Sequence, residues 1–163
     1  MESVITLITR LLISPLSKSN QLQAATTLYG ICKGYSLSNI QALIKQSALE
    51  TGYWNDYKFQ QHNNAFGMLE PSWSPYTTGS VGTEGQGIYE NVVHCVLDRL
   101  TWDKRNGINP RSRTYLTDVQ QAGYNGSSSY PAHIQAFEPQ MLGYWYALAL
   151  LPTALTGILY LIR

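Results

Sequence analysis

The sequence predicts an α+β domain that is mostly α-helical, and three features carry that reading. Apolar residues recur at helical spacing in several separate segments, as amphipathic helices require. The stretch from Asn55 to Gln86 instead mixes Gly, Ser, Thr, Asn, Pro and aromatics with little periodicity, which suits an irregular lobe with short strands around Thr77 to Val81. The tail from Met141 to Ile162 carries no charge at all. With 163 residues the chain is long enough for one sizeable core.

Val4, Ile5, Ile8, Leu11 and Leu12 form one apolar face in a short N-terminal helix, read as a docking helix over 2–14 and stopped by Pro15. It is too short to span a bilayer and has neither the basic start nor the small-residue cleavage site of a signal peptide. Asn20 to Cys32 follows as a helix with Leu22, Ala25, Tyr29 and Cys32 on one face and Gly34 as its stop. Ser38 and Gln41 have capping-box spacing and open a helix with Ile40, Leu43, Ile44, Ser47 and Ala48 inward, ending near Glu50-Thr51-Gly52. Ile88, Val92, Val96 and Leu100 give a further helical stripe, which Gly107 and Pro110 end. Arg113 to Ala122 reads as helix, Gly123 to Gly126 as a turn, and Pro131 as the first residue of another helix.

Charged residues make up 13% of the chain and net charge is +1, so bulk electrostatics favours no polyanion. No Lys/Arg cluster marks a nucleic-acid footprint. Cys32 and Cys95 each fall in a helical segment and read as core thiols, and His62, His94 and His133 share no metal-ligand spacing. Neither a metal nor a cofactor is implied. About 20 apolar residues cross the ~30 Å hydrocarbon slab, and the stretch 141–163 is that long, with Tyr144, Trp145 and Tyr146 at one end and Arg163 at the other. The expected organisation is therefore a globular part over 1–140 and a hydrophobic, transmembrane anchor helix over 141–163, touching lipid through residues 141–162.

Glu50 is the acidic residue that stands between an apolar helix and an aromatic cluster of Tyr53, Trp54, Tyr57 and Phe59. A carboxyl at a helix C-terminus faces the negative end of the dipole, which favours the protonated acid. Such a group can donate the proton that a glycosidic leaving oxygen needs. Most glutamates at helix ends are simply solvated, so composition alone does not make Glu50 catalytic.

The local motifs add to this. Gln46-Ser47-Ala48-Leu49-Glu50-Thr51-Gly52, followed by Asn63-Asn64-Ala65-Phe66-Gly67-Met68, resembles the bacterial and phage endo-β-N-acetylglucosaminidases of the autolysin and flagellar-muramidase type, glycoside hydrolase family 73. Gly123-Tyr124-Asn125-Gly126-Ser127-Ser128-Ser129-Tyr130 resembles that family's tyrosine-bearing third segment, with Ser128 where the family has aspartate. Ile88-Tyr89 resembles its Y-x-S segment, with Asn91 in place of the serine. The resemblance spans roughly Ser38 to Phe137. It implies a lysozyme-like fold, peptidoglycan glycan strands as substrate, Glu50 as general acid and Tyr124 beside the reacting centre. It also implies that Asn64, Phe66 and Gly67 shape the cleft floor.

The resemblance also implies a second carboxylate from the irregular lobe, where Glu70 and Glu84 are the candidates and the glycines flanking Glu84 suit a mobile loop. The substrate's own acetamido group is the alternative. With 12 tyrosines and 4 tryptophans in the chain, Tyr53, Trp54, Trp73, Tyr76 and Tyr130 near the motifs could stack on sugar rings. An anchored hydrolase without a signal peptide meets peptidoglycan most readily from a virus particle. The expected setting is thus a membrane-containing bacteriophage, with other virion proteins as neighbours. A lytic transglycosylase and an inert wall-binding or structural virion membrane protein are the alternatives.

Overall fold

The computed structural model describes residues 9–10, 12–69, 74–82 and 84–161, and side chains in the last helix only to Leu150 and at Pro152. The elements run α1 (Lys18–Cys32), α2 (Leu37–Glu50), α3 (Tyr57–His62), β1 (Thr77–Val81), β2 (Gly87–Tyr89), α4 (Val92–Arg105), α5 (Tyr115–Gln121), α6 (Tyr130–Ala136) and α7 (Leu142–Leu161). The fold is α+β and mostly helical. Its two strands pair antiparallel, Thr77 opposite Tyr89 and Val81 opposite Gly87, with an irregularity between.

The most enclosed element is α1, which packs against α2, α4 and α7 and buries every residue from Leu22 to Gly30. It is not the one-faced helix that the apolar spacing suggests. Its polar positions are satisfied internally, since the hydroxyls of Thr26 and Thr27 donate to the carbonyls of Leu22 and Gln23, each at 2.8 Å. Its small residues let neighbours come close: a Cβ on Gly30 would sit 2.7 Å from Ile40 Cγ1.

Several local expectations are corrected. The N-cap of α2 is Ser36, whose side chain accepts from Asn39 N at 3.2 Å, whereas Ser38 lies inside the helix. Either serine suits an N-cap chemically, and docking of the preceding turn decides, with Ser36 N bonded to the Pro110 carbonyl. Ile88 and Tyr89 belong to β2 rather than to a helix start, because Asn91 caps α4 by accepting from His94 N at 3.1 Å. The lobe from Asn55 to Gln86 contains the short helix α3, held at its C-terminal end by Lys18, whose ammonium donates to the carbonyls of Phe59 and Gln60. Cys95 is buried, its thiol pushed up to about 12 chiefly by that burial, but Cys32 is exposed and both are free. Of the N-terminal docking helix, residues 2–8 and Leu11 lie outside the described residues, while Ile13 is buried.

The tail starts as part of the core. Tyr144 and Ala147 are buried and Tyr146 donates its hydroxyl to the Leu12 carbonyl at 3.1 Å. Gln23 of α1 accepts from Gly143 N at 3.1 Å and donates to the Gln140 carbonyl at 2.9 Å, fixing the first turn of α7. A boundary at 140/141 therefore cuts through packed structure. Among the described residues no helix is long and apolar enough to cross a membrane, so the transmembrane expectation is not supported. The outward face of α7 still exposes Leu142 and Trp145.

At the α1–α7 crossing, a Cβ on Gly143 would lie 2.2 Å from the Asn20 carbonyl oxygen, and backbone cannot move aside as a side chain can. Gly143→Ala is expected to destabilise the fold by about 1–3 kcal/mol, read as a lowered denaturation midpoint. An unchanged midpoint would mean that α7 does not pack on α1 in solution.

Candidate active site

Glu50 is the last residue of α2, and the chain behind it turns sharply. Gly52, Tyr53 and Trp54 all take positive φ, at 51°, 58° and 63°. Two aromatic side chains in this region are costly, at roughly 1–2 kcal/mol per residue, so surrounding contacts must impose the turn. Thr51 supplies some of them, its hydroxyl donating to the Ser47 carbonyl at 2.6 Å and accepting from Trp54 N at 3.0 Å. Trp54 Nε1 donates to Ser47 Oγ at 3.1 Å and its ring is buried. Trp54 is thus a core anchor for the turn, not a sugar platform. Tyr53, 53% exposed and stacked on Phe137 at 4.4 Å, remains open to a ligand.

One carboxyl oxygen of Glu50, Oε1, accepts the Tyr130 hydroxyl at 2.5 Å. The other faces Gly67, where a Cβ would come 3.7 Å from Oε2, so the glycine keeps the space beside the acid clear. Tyr130 also accepts from Gln46 Nε2 at 2.8 Å, and Gln46 Oε1 accepts from Arg99 Nη2 at 3.1 Å and Nε at 3.3 Å. Burial pushes the Glu50 pKa above the ordinary carboxyl value of 4.5, against the Tyr130 hydrogen bond and the charges of Lys58 and Arg99.

The Asn63-Asn64 pair is structural. Asn63 ends α3 at positive φ and donates to the Tyr89 carbonyl at 2.6 Å. Asn64 is fully buried: its amide nitrogen donates to the carbonyls of Met68 and Gly87 and its oxygen accepts from Met68 N. It cannot touch a substrate, and neither can the ring of Phe66, 1% exposed. Both fix the loop that brings Gly67 to Glu50, with the Tyr124 hydroxyl donating to the Phe66 carbonyl. The Tyr124 ring lies 6.2 Å from that of Tyr130 and 4.6 Å from the Arg99 guanidinium. Tyr130, only 4% exposed, is a partner of the acid rather than a sugar-binding surface.

Glu84 is exposed and ion-paired with Lys58 Nζ at 2.9 Å. Hydrogen bonds from Lys58 and then Gln86 hold its carboxyl below the ordinary range. Lys58 therefore acts on both carboxylates. Glu70 and Trp73 lie outside the described residues. Beside Tyr53 a hollow of about 500 Å³ is lined by Asn20, Gln140 and Leu142 among others. A separate groove of about 600 Å³ at the N-terminal end of α2, between Ser38, Lys45 and Arg113, includes none of the motif residues. Among the described residues no cluster of His, Cys, Asp or Glu could hold a metal ion.

No family model, curated protein or solved structure matches the chain. Sequence reasoning did not single out Gln46, Lys58, Arg99 or Asp103. The one available signal was Arg99 with Asp103 one turn later on the same helix, a spacing that allows a pair.

Folding raises the Glu50 pKa, so the folded chain holds that proton more tightly than the unfolded one. The associated stability is fully present below the ordinary value and is lost as pH rises through the raised one. Glu50→Gln is therefore expected to melt above the parent at neutral pH, the difference closing in acid. Parallel melting curves across pH check this.

Proposed function

We propose that this chain is a peptidoglycan hydrolase that cleaves β-1,4 glycosidic bonds of the wall glycan, with Glu50 as general acid. The observation that carries the reading is the divergence of two carboxyls. Glu50 is half-buried with a raised pKa, whereas Glu84 is exposed, paired with Lys58 and held ionised. Opposed environments of this kind separate a proton donor from an anion that serves as base, nucleophile or electrostatic partner. The resemblance of the three motif segments to the endo-β-N-acetylglucosaminidases supplies the substrate class.

In this reading Glu50 Oε2 gives its proton to the glycosidic oxygen as the bond to the sugar's anomeric carbon breaks, and Glu84 stabilises the positive charge there or activates water. Gly67 leaves room for the leaving oxygen, Tyr124 holds the loop that carries it, and Tyr53 offers an exposed ring for a neighbouring sugar. The setting we propose is the membrane or surface of a bacteriophage particle, among other virion proteins. The uncharged tail and the exposed Leu142 and Trp145 support a lipid contact there. A lytic transglycosylase is the second reading, favoured by Glu50 being the carboxyl whose pKa burial raises, since that reaction needs no second carboxylate.

The test is lysis of purified peptidoglycan by the full chain and by Glu50→Gln. The parent should release fragments with reducing ends and the variant should lose roughly 10²–10⁴-fold in rate while remaining folded. Because the acid must be protonated, the parent's rate should fall as pH rises past the elevated Glu50 pKa. Anhydro ends would identify the transglycosylase, and wall binding without turnover by the parent would remove the enzymatic reading.

A further inference from the structure

We propose that Gln46 and Arg99 are positioning residues that, acting through Tyr130, leave the proton of Glu50 on Oε2, the oxygen beside Gly67. The inference rests on the reading of Glu50 as the general acid and adds how its proton is placed.

The direction of the chain of hydrogen bonds follows from its far end. A guanidinium only donates, so the group facing Arg99 Nε and Nη2 must accept, and that group is Gln46 Oε1. The reversed amide would set its NH2 against the guanidinium, donor against donor. The Gln46 NH2 is thereby turned to the Tyr130 oxygen, which accepts at 2.8 Å. Tyr130 is left to give its own hydrogen to Glu50 Oε1. A proton on Oε1 would confront that hydrogen, so the protonated acid carries it on Oε2, where Gly67 leaves space.

The source of direction is itself fixed. Arg99 is fully buried and paired with Asp103, and its guanidinium lies over the rings of Tyr124, Trp102 and Phe66 at 4.6, 5.1 and 5.9 Å. Asp103 also accepts from Tyr35 at 2.7 Å and from Tyr115 at 2.6 Å. The groups acting on Glu50 are Tyr130 from α6, Arg99 from α4, Lys58 from α3 with Glu84 bound to it, and Tyr124 from the turn after α5.

The experiment follows the Glu50 carboxyl by carbon NMR titration, its signal assigned by loss in Glu50→Gln. Four proteins are compared: the parent, Tyr130→Phe, Gln46→Glu and the double variant. Tyr130→Phe removes the donor to Oε1, so the Glu50 titration should move to higher pH. In Gln46→Glu the new carboxylate accepts from both Arg99 and Tyr130, turning the tyrosine hydrogen away from Glu50, and the titration should again move up. In the Tyr130→Phe background the same change acts only through its charge, so its effect should be smaller than in the parent. Equal effects in both backgrounds, or no movement in Tyr130→Phe, would overturn the proposal.

On peptidoglycan the single variants should lose roughly tenfold in kcat with KM held, and the alkaline limb of kcat/KM should move upward. A purely structural role would lower the profile without moving it. If Gln46→Glu does not fold, the parent decides alone. Its Tyr130 hydroxyl proton should show a nuclear Overhauser contact to the Gln46 side-chain amide protons, and absence of that contact overturns the assignment. The titration needs no substrate, so it succeeds or fails independently of whether the chain lyses cell walls.

Discussion

A fully buried guanidinium organises this molecule. Arg99 has no exposure, and a buried cation that loses its partner costs about 3–5 kcal/mol, so the groups around it are bound to stay in place. Asp103 neutralises it from the same helix, while Gln46 brings in α2. The tyrosines that bond Asp103 come from the α1–α2 connection and from α5, and the Tyr124 ring stacked over the cation comes from the turn after α5. Segments far apart in sequence thus meet at a single charge. Glu50 sits two hydrogen bonds from the Gln46 oxygen that receives this cation, so its geometry inherits the rigidity of the core.

The end of α2 shows how such a site tolerates local strain. Beyond Thr51, which follows Glu50, come three successive residues with positive φ, two of them aromatic. Burial of the Trp54 ring and its bond to Ser47 offset the cost, and Gln60 of α3 adds a further tie by donating to the Trp54 carbonyl at 2.6 Å. The tight turn stops the helix at the acid and redirects the chain into α3. In turn α3 delivers Lys58 and ends at Asn63, whose partner Asn64 shapes the loop that places Gly67. The two motif segments flanking this turn therefore read as one folding unit, in which most side chains hold backbone and few are left to meet a ligand.

Much of the architecture was legible in the sequence, and the misreadings share a cause. Helical stripes located α2 and most of α4, the Thr77 to Val81 strand was visible from composition, and Pro131 marked the start of α6. What failed depended on tertiary contact. Ser36 wins the cap over Ser38 because Pro110 docks beside it, and α1 is enclosed on all sides because its threonines bond their own backbone. For the tail, hydropathy alone could not show that Gly143 meets Asn20 and that Tyr144 and Ala147 face inward. At the site, Glu50 could be singled out and its partners could not. An aromatic near a motif suggests a sugar platform, yet Trp54 and Tyr130 were drawn inward by bonds to Ser47 and Glu50. The buried Arg99 looked like one more charge on a helix.

The two candidate carboxylates differ in how firmly they are held, and the difference suits the chemistry proposed for them. Around the acid, buried and mutually hydrogen-bonded groups fix the carboxyl to a small range of positions, as a proton donor aimed at a single oxygen requires. Glu84, by contrast, sits on a glycine-flanked stretch and pairs with Lys58 at the surface. Exposed pairs of this type are screened by water and hold weakly, so an arriving polymer can part them at little cost. Separation would release an anion and a cation together, the first to face the sugar ring and the second to remain near Glu50. A firmly held acid and a loosely held ion pair are the combination that the proposed hydrolysis would use, the first to keep its proton in place and the second to yield to an arriving strand.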